Sequence, residues 1–270
     1  MTQSFQTLTG AVSGRPDDVL LFVASFDGVL AEYRGDPTLV RVSQSRLALL
    51  TRLQRLPGVV VAIISGRPLD DLRERIPLDD DAFFIGLHGL EIAGPEFAWP
   101  RSEVMQAYEA RMVDVATRLR GEVSRIPGVR VECKGPVLAL HTSEAASNDV
   151  VWSRFRLLGA AAELVNTQSV RVLRGRDVLE LVPNVGSSRA EAVMAVRRCV
   201  EERYQRSAFT VYIGEDAVDD DAARAIGERG VAAVVGRRAR VDCHLDSPDD
   251  VDAFMQEVIL DRQPRRPSTA

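Results

Sequence analysis

The sequence predicts an α/β protein, a parallel-sheet core interrupted by an inserted α+β domain. Two observations predict it. Toward both ends of the chain, short apolar runs of strand length alternate with amphipathic stretches of helix length, the pattern of βαβ units. In the middle that alternation fails, and two short strands meet across a Lys134-Gly135-Pro136 break instead. A chain of 270 residues that is 46 % apolar can bury a core and a smaller inserted domain.

In the first part of the core, residues 19–24 read as a buried strand, and Val42, Leu49, Leu53 and Leu56 then recur on one helical face. Residues 59–64 form a second buried strand, followed by a helix with Leu69, Leu72 and Ile76 inward and a third strand over 83–87. The insert opens on Ser102, which caps a long helix with apolar positions Val104, Tyr108, Met112, Val115, Leu119, Val123 and Ile126. Strands over 129–133 and 137–141 make a hairpin, and a helix near 149–164 and strands over 170–173 and 178–182 complete the unit. The parallel pattern resumes with a helix over 189–204 and strands over 209–213 and 231–235. Ser247 and Pro248 open the last helix, with Asp249 and Asp250 in its first turn. Boundaries follow at 1–101 and 183–270 for the core and 102–182 for the insert. Residues 1–17 and 262–270 read as loose tails.

The formal net charge is -5, and Arg237, Arg238 and Arg240 read as solvated surface, so no nucleic-acid partner is expected. No apolar run approaches the roughly 20 residues that span a bilayer, and residues 1–15 lack the apolar stretch of a signal peptide. No membrane partner is expected. Cys133, Cys199 and Cys243 show no metal-ligand spacing; they read as reduced thiols and point to a cytoplasmic location.

Four polar clusters follow the apolar strands or open the next helix. They are Ser25-Phe26-Asp27-Gly28, Ser65-Gly66-Arg67, Arg189 at a helix start, and Gly214-Glu215-Asp216 with Asp219, Asp220 and Asp221. Open parallel sheets bind ligands at the carboxyl ends of their strands, so one fold gathers all four at a single edge. Each cluster alone is an ordinary turn or helix start; their order and convergence make a site.

On these residues the sequence resembles the trehalose-6-phosphate phosphatases, a branch of the haloacid-dehalogenase-like phosphatases with a Rossmann-like core. The resemblance covers about residues 19–260. It rests on residues 20–30 around Ser25 and Asp27, on Ile64-Ser65-Gly66-Arg67, on Gly86-Leu87-His88-Gly89-Leu90-Glu91, on Glu132, Lys134 and His141, on 175–183 with Glu180, and on 212–221. The Asp27 and Ser65 elements are general to the superfamily, whereas the His88–Glu91 run and the Glu132, Lys134, His141 set are fairly specific to the trehalose branch.

The resemblance implies hydrolysis of trehalose 6-phosphate to trehalose and phosphate with Mg²⁺ as cofactor, and a cap that closes over the sugar. In the family an aspartate ending the first strand attacks phosphorus; here that position is Ser25. Asp27 matches the acid that protonates the leaving oxygen and later activates water. Ser65 matches the phosphate-binding serine, with Gly66 and Arg67 beside it, and Arg189 takes the place of the family's lysine. Asp27, Glu215, Asp216 and Asp219 match the metal-site positions. His88, Glu91, Glu132, Lys134, His141 and Glu180 match positions that hold the sugar.

Four departures stand out: Ser25 for the nucleophile, Glu215 for an aspartate, Arg189 for lysine, and Thr142-Ser143 where the family has an aromatic-basic pair. A serine hydroxyl is uncharged and weakly nucleophilic without a base, so turnover is expected to be weak or lost unless Asp27 or water attacks. Three readings follow: a trehalose-6-phosphate phosphatase with degraded turnover, a non-catalytic sugar-phosphate binder that regulates or scaffolds a trehalose-6-phosphate synthase, and a phosphatase on another sugar phosphate. Trp99 and Trp152 can line a sugar site, but core packing is the expectation.

Overall fold

Seven consecutive buried residues place Val19–Ser25 at the centre of a sheet, because a strand covered on both faces needs a continuous apolar run. The computed structural model describes residues 3–15, 17–32, 37–95, 97–99, 103–215, 219–236 and 243–263. In chain order the elements before the insert are α1 (Gln3–Ser13), β1 (Val19–Ser25), α2 (Gln44–Gln54), β2 (Val59–Ile64), α3 (Leu69–Arg75), β3 (Phe83–Gly86), β4 (Glu91–Gly94) and β5 (Phe97–Trp99). The insert carries α4 (Glu103–Val123), β6 (Arg130–Lys134), β7 (Val137–His141), α5 (Ser147–Ala160), α6 (Ala162–Asn166), β8 (Val170–Gly175) and β9 (Val178–Pro183). After it come α7 (Arg189–Tyr204), β10 (Ala208–Gly214), α8 (Asp220–Ala225), β11 (Gly230–Val235), β12 (Cys243–Leu245) and α9 (Pro248–Arg262). The chain divides into one unit of Met1–Ala98, Arg189–Glu215 and Asp219–Ala270 and a second built on Trp99–Ser188.

The first unit holds an eight-stranded sheet in the order β12-β11-β10-β1-β2-β3-β4-β5. From β12 to β3 the pairs are parallel, and β4 turns back antiparallel on β3. Alternation along β1 sorts its side chains between two layers. Leu20, Phe22 and Ala24 face the core built with α1, α2 and α9. Val19, Leu21 and Val23 face the core built with Ala192, Val193 and Val196 of α7. Ser25 continues the second set, so the same parity that buries β1 aims its last side chain toward the α7 side.

Several elements differ from expectation. The N-terminal segment is a helix rather than a loose tail, because Phe5, Leu8 and Val12 form an apolar stripe that is buried in the core. Helix α2 is shorter than its apolar pattern: Ser43 caps it by accepting from the Arg46 amide, which leaves Val42 and Leu56 flanking it. In α4 the buried residue of the first turn is Met105, while Val104 is exposed; the expected cap Ser102 lies outside the described residues. The helix expected near 149–164 breaks at Ala161 into α5 and α6. Trp99 and Trp152 are 41 % and 44 % exposed, so neither packs in a core. The short strands β4, β5 and β12 have no counterpart in the apolar pattern.

The second unit is a four-stranded antiparallel sheet, β6-β7-β9-β8. One face, with Leu138, Leu140, Leu179 and Leu181, packs against Met112, Val115 and Leu119 of α4 and Leu157 of α5. Among the described residues, no helix is long and apolar enough to cross a membrane.

A buried arginine ties the first unit together. Arg46 donates to both oxygens of Asp252 at 2.6 and 2.8 Å and to the carbonyls of Leu30 and Pro248, joining α2 to the start of α9. That start is fixed in turn by Asp250, whose carboxylate accepts from the Ser247 amide at 3.2 Å. Removing Arg46 strands these acceptors. Arg46→Ala is expected to cost about 3 kcal/mol in urea unfolding, the low end for breaking a buried pair, because the Asp252 side chain keeps 21 % exposure. A loss within the range of an exposed ion pair, under about 1 kcal/mol, contradicts this reading.

Candidate active site

The carboxyl ends of β1 and β10 lie side by side, with Ala24 in register with Ile213. At that edge Ser25 is buried, and its hydroxyl donates to Asp219 Oδ1 at 3.0 Å. Asp219 precedes α8 and is itself buried. The same Oδ1 accepts from Arg189 Nη1 at 2.6 Å and from the Tyr212 hydroxyl at 2.5 Å, and Oδ2 accepts from the Glu215 amide at 3.0 Å. Arg189 Nη1 also reaches Ser25 Oγ at 3.2 Å. Burial, and then the neighbouring Asp219 charge, push the Tyr212 phenol far up, so it acts only as a donor. Tyr212 is absent from the predicted site because it reads as one more apolar strand residue.

A second carboxylate sits beside this cluster. The loop after β1 turns sharply, with Gly28 at φ 77° and its amide donating to the Ala31 carbonyl. A Cβ on Gly28 would lie 1.8 Å from Glu215 Oε2, so only glycine fits beneath that carboxylate. Asp27 is gripped by the Arg67 guanidinium, Nη2 to Oδ1 at 2.7 Å and Nε to Oδ2 at 3.0 Å, and Ser65 Oγ reaches Oδ2 at 3.3 Å. Ser65 Oγ in turn accepts from the Arg67 amide. Burial opposes the charge on Arg67, but its bonds to Asp27 and Asp71 outweigh that cost and raise its pKa. Asp71 is held down in pKa by Arg75 and Arg67 against the effect of its own burial.

His88 sits at φ 58° in the 3-10 turn after β3. Its Nδ1 faces Nε and Nη2 of Arg189 at 3.4 Å each, so it backs the guanidinium. The ring lies over Gly66, where a Cβ would come within 2.5 Å of Nε2. Glu91 accepts from the Leu69 amide at 3.0 Å and so holds the start of α3. Of the predicted core residues, Ser25, Asp219, Arg189 and His88 form one bonded group, with Glu215 attached through its amide, and Asp27, Ser65 and Arg67 form another. Asp216 lies outside the described residues.

The predicted residues of the insert share one face of its sheet. Glu132 of β6 is in register with Ala139 of β7, and Ala139 with Glu180 of β9; Lys134 and His141 lie two residues along from that row. An ion pair joins Lys134 Nζ to Glu180 Oε1 at 2.8 Å, and a hydrogen bond joins His141 Nε2 to Glu132 Oε2 at 2.7 Å. Small Ala139 leaves room for them. Burial raises the Glu132 pKa, but the His141 bond and the Lys134 charge override it and hold the carboxyl below its ordinary range.

The trehalose-phosphatase family model matches residues 23–248. The chain belongs to the trehalose-phosphatase family. It is 31 % identical over 255 residues to the trehalose-phosphate phosphatase of Mycobacterium ulcerans (strain Agy99), covering 89 % of this chain and 63 % of that one. The chain thus spans under two thirds of that relative's length. The C-terminal domain of Candida albicans trehalose-6-phosphate phosphatase has the same fold, with TM-score 0.79, 18 % identity, and 93 % of this chain and 96 % of that one covered. The C-terminal domain of the Candida albicans trehalose synthase regulatory protein also shares it, with TM-score 0.68, 11 % identity, and coverage of 92 % and 97 %. The fold is therefore the haloacid-dehalogenase-like α/β core with a cap, as the sequence predicts.

Of the positions matched to a Mg²⁺ site, Asp219 is already engaged, Glu215 has its carboxylate beside Gly28, Asp27 is held by Arg67, and Asp216 lies outside the described residues. Mg²⁺ demands near-octahedral oxygens at roughly 2.0–2.1 Å. Asp219 Oδ1 already takes three donors, one of them a guanidinium, and Ser25 brings no charge. Among the described residues, no group of three or more His, Cys, Asp or Glu side chains is placed to hold a metal.

The Glu132 shift predicts a pH dependence in the insert. A carboxylate whose folded pKa is depressed stabilises fully above its unfolded value of about 4.3, and that stability is lost as pH falls through the lower folded value. The difference in urea midpoint between wild type and Glu132→Gln should be constant near neutrality and shrink steadily below about pH 4. A gap that persists at about pH 2 rules the linkage out.

Proposed function

We propose that this chain binds a sugar phosphate of the trehalose 6-phosphate type and hydrolyses it slowly or not at all. One observation carries the reading: the hydroxyl of Ser25, the residue matched by resemblance to the family's nucleophile, is spent on Asp219, a carboxylate already paired with Arg189. For Ser25 to attack phosphorus, a base must take its proton. The nearest carboxylate oxygen has its lone pairs engaged by Arg189 and Tyr212, so it offers little basicity. Asp27 stands where the proton donor to the leaving oxygen belongs, and Arg67 and Ser65 orient it. Proton transfer by Asp27 without a nucleophile leaves only attack by water.

Each unit by itself carries side chains suited to one kind of group. In the first, Ser65, Arg67 and Arg189 suit a phosphate, since guanidinium forks pair with its oxygens. In the second, Glu132, Lys134, His141 and Glu180 suit sugar hydroxyls, which both donate and accept. The shared fold does not decide between a phosphatase and a regulatory protein, since relatives named for each have it. The side chains favour binding over turnover, and a binder of this kind suits a regulator or scaffold of a trehalose-6-phosphate synthase. Among the described residues Cys133, Cys199 and Cys243 form no disulfide, which accords with a cytoplasmic site of action.

Phosphate release from trehalose 6-phosphate, with calorimetry alongside, tests this. Wild type is expected to bind the sugar phosphate yet release phosphate no faster than Asp27→Asn. Turnover near or above about 1 s⁻¹, typical of enzymes, that Asp27→Asn abolishes would defeat the proposal. Ser25→Asp assigns the loss: a tenfold or greater gain with Mg²⁺ (about 1.4 kcal/mol) marks the missing nucleophile as limiting. No gain marks the Arg189–Asp219 pair.

A further inference from the structure

We propose that α5 of the second unit is a self-association surface, through which a second copy of this chain pairs antiparallel across a two-fold axis. The inference goes beyond the sugar-phosphate reading and does not depend on it. Val151, Trp152 and Phe155 carry it. These large apolar side chains are 70 %, 44 % and 68 % exposed, and they fall within one short stretch of one helix.

The face they make is separate from the one that fastens the helix. Helix α5 buries only Ser153 and Leu157. Ser153 follows Val151 by two places and Leu157 follows Phe155 by two, which is about 200° around the helix. By contrast α4 buries Met105, Met112, Val115, Ala116, Leu119 and Val123. Helix α5 is thus apolar on its outer face as well as its inner one, the pattern of a helix covered on both sides. A contiguous exposed patch with two aromatics marks an interaction site. The patch also lies away from the residues matched to sugar binding. Leu138 and Leu140 of β7 pack toward the helices, whereas Ala139 and His141, the alternate residues, share the other face with Glu132 and Glu180.

Charge selects the occupant. Asp149 and Arg156 flank the patch on one side, seven residues apart, which is two turns or about 10.5 Å. Trp152 lies between them, and the Arg156 guanidinium stands over its ring at 5.4 Å. Arg156 is held on that flank by a bond from Nε to Glu122. In a parallel pair of such helices, Asp149 would face Asp149 and Arg156 would face Arg156. In an antiparallel pair with its axis beside Trp152, Asp149 of each copy meets Arg156 of the other, as a two-fold interface requires. The same register sets Phe155 of each copy beside Val151 of the other. Apolar and charged contacts therefore call for one and the same arrangement. An anionic lipid surface is the poorer fit, because Glu122 already matches Arg156 and Asp149 adds negative charge beside the patch.

Sedimentation equilibrium of the full chain tests this. Wild type is expected to be dimeric at about 100 μM and to dissociate on dilution, as suits an interface at the small end of the usual size range. Phe155→Glu is expected to be monomeric throughout, with an unchanged circular dichroism spectrum. Asp149→Arg and Arg156→Asp should each raise the dimer dissociation constant at least about tenfold, since like charges then face each other. An equimolar mixture of those two variants should form a heterodimer about as tight as wild type, because both ion pairs return with their signs exchanged. Wild type that stays monomeric overturns the proposal, and monomeric wild type that binds phosphatidylserine vesicles assigns the patch to lipid instead. A dimer that Phe155→Glu leaves intact overturns it as well. So does a mixture of the charge variants that fails to pair. If either charge variant fails to fold, wild type and Phe155→Glu decide alone.

Discussion

A carboxylate and a guanidinium, buried together 2.6 Å apart where β1 and β10 end, constrain everything around them. Neither group tolerates burial alone: removing one partner of such a pair costs about 3–5 kcal/mol because the other charge is left uncompensated. The pair therefore fixes the start of α7, which carries Arg189, to the segment before α8, which carries Asp219. Tyr212 and Ser25 spend their hydroxyl protons on the same oxygen. A site assembled this way is stiff, because each of these side chains is held by at least one other.

Much of this is legible in the sequence, and what is not legible has physical causes. Continuous apolar runs locate β1, β2 and β10, and the rule that strand ends gather ligands correctly brings Ser25 and Asp219 to one edge. Helix α1 escapes the pattern although Phe5, Leu8 and Val12 carry a helical period, because the residues between them are mostly polar and the segment is terminal. The strands β4, β5 and β12 are three or four residues long, too short for periodicity to register. Arg46 does not stand out, since charged residues normally belong outside; its burial depends on Asp252, 206 positions away. The Arg67 clamp on Asp27 joins residues 40 apart and is hidden for the same reason. Residue identity shows that a charge exists, while its partner is set by topology.

Fold and chemistry separate cleanly in this chain. A backbone shared with proteins named as a phosphatase and as a regulatory protein does not decide whether turnover occurs. The proposed reading turns instead on the residue that ends the buried run of β1 and on the helix start at residue 189. These two positions touch one another, so their substitutions are coupled rather than independent. A serine beside a lysine would leave a buried carboxylate with a mobile point charge. A serine beside an arginine leaves it in a fixed ion pair with a bonded hydroxyl. In the second arrangement neither buried charge is left uncompensated.

Two carboxylates of the core, Asp27 and Asp219, are each paired with an arginine. Here Asp27 is held by Arg67 and Asp219 by Arg189, each through bonds of 2.7 Å or less. The remaining nitrogens of the two arginines face Asp71 and His88, and the Ser65 hydroxyl reaches Asp27, so these donors are held in place by their neighbours. The sheet of the second unit likewise matches its lysine to a carboxylate, Lys134 to Glu180. Interactions equally strong in bound and transition states give affinity without rate, and an array of prepaired charges supplies affinity of that kind.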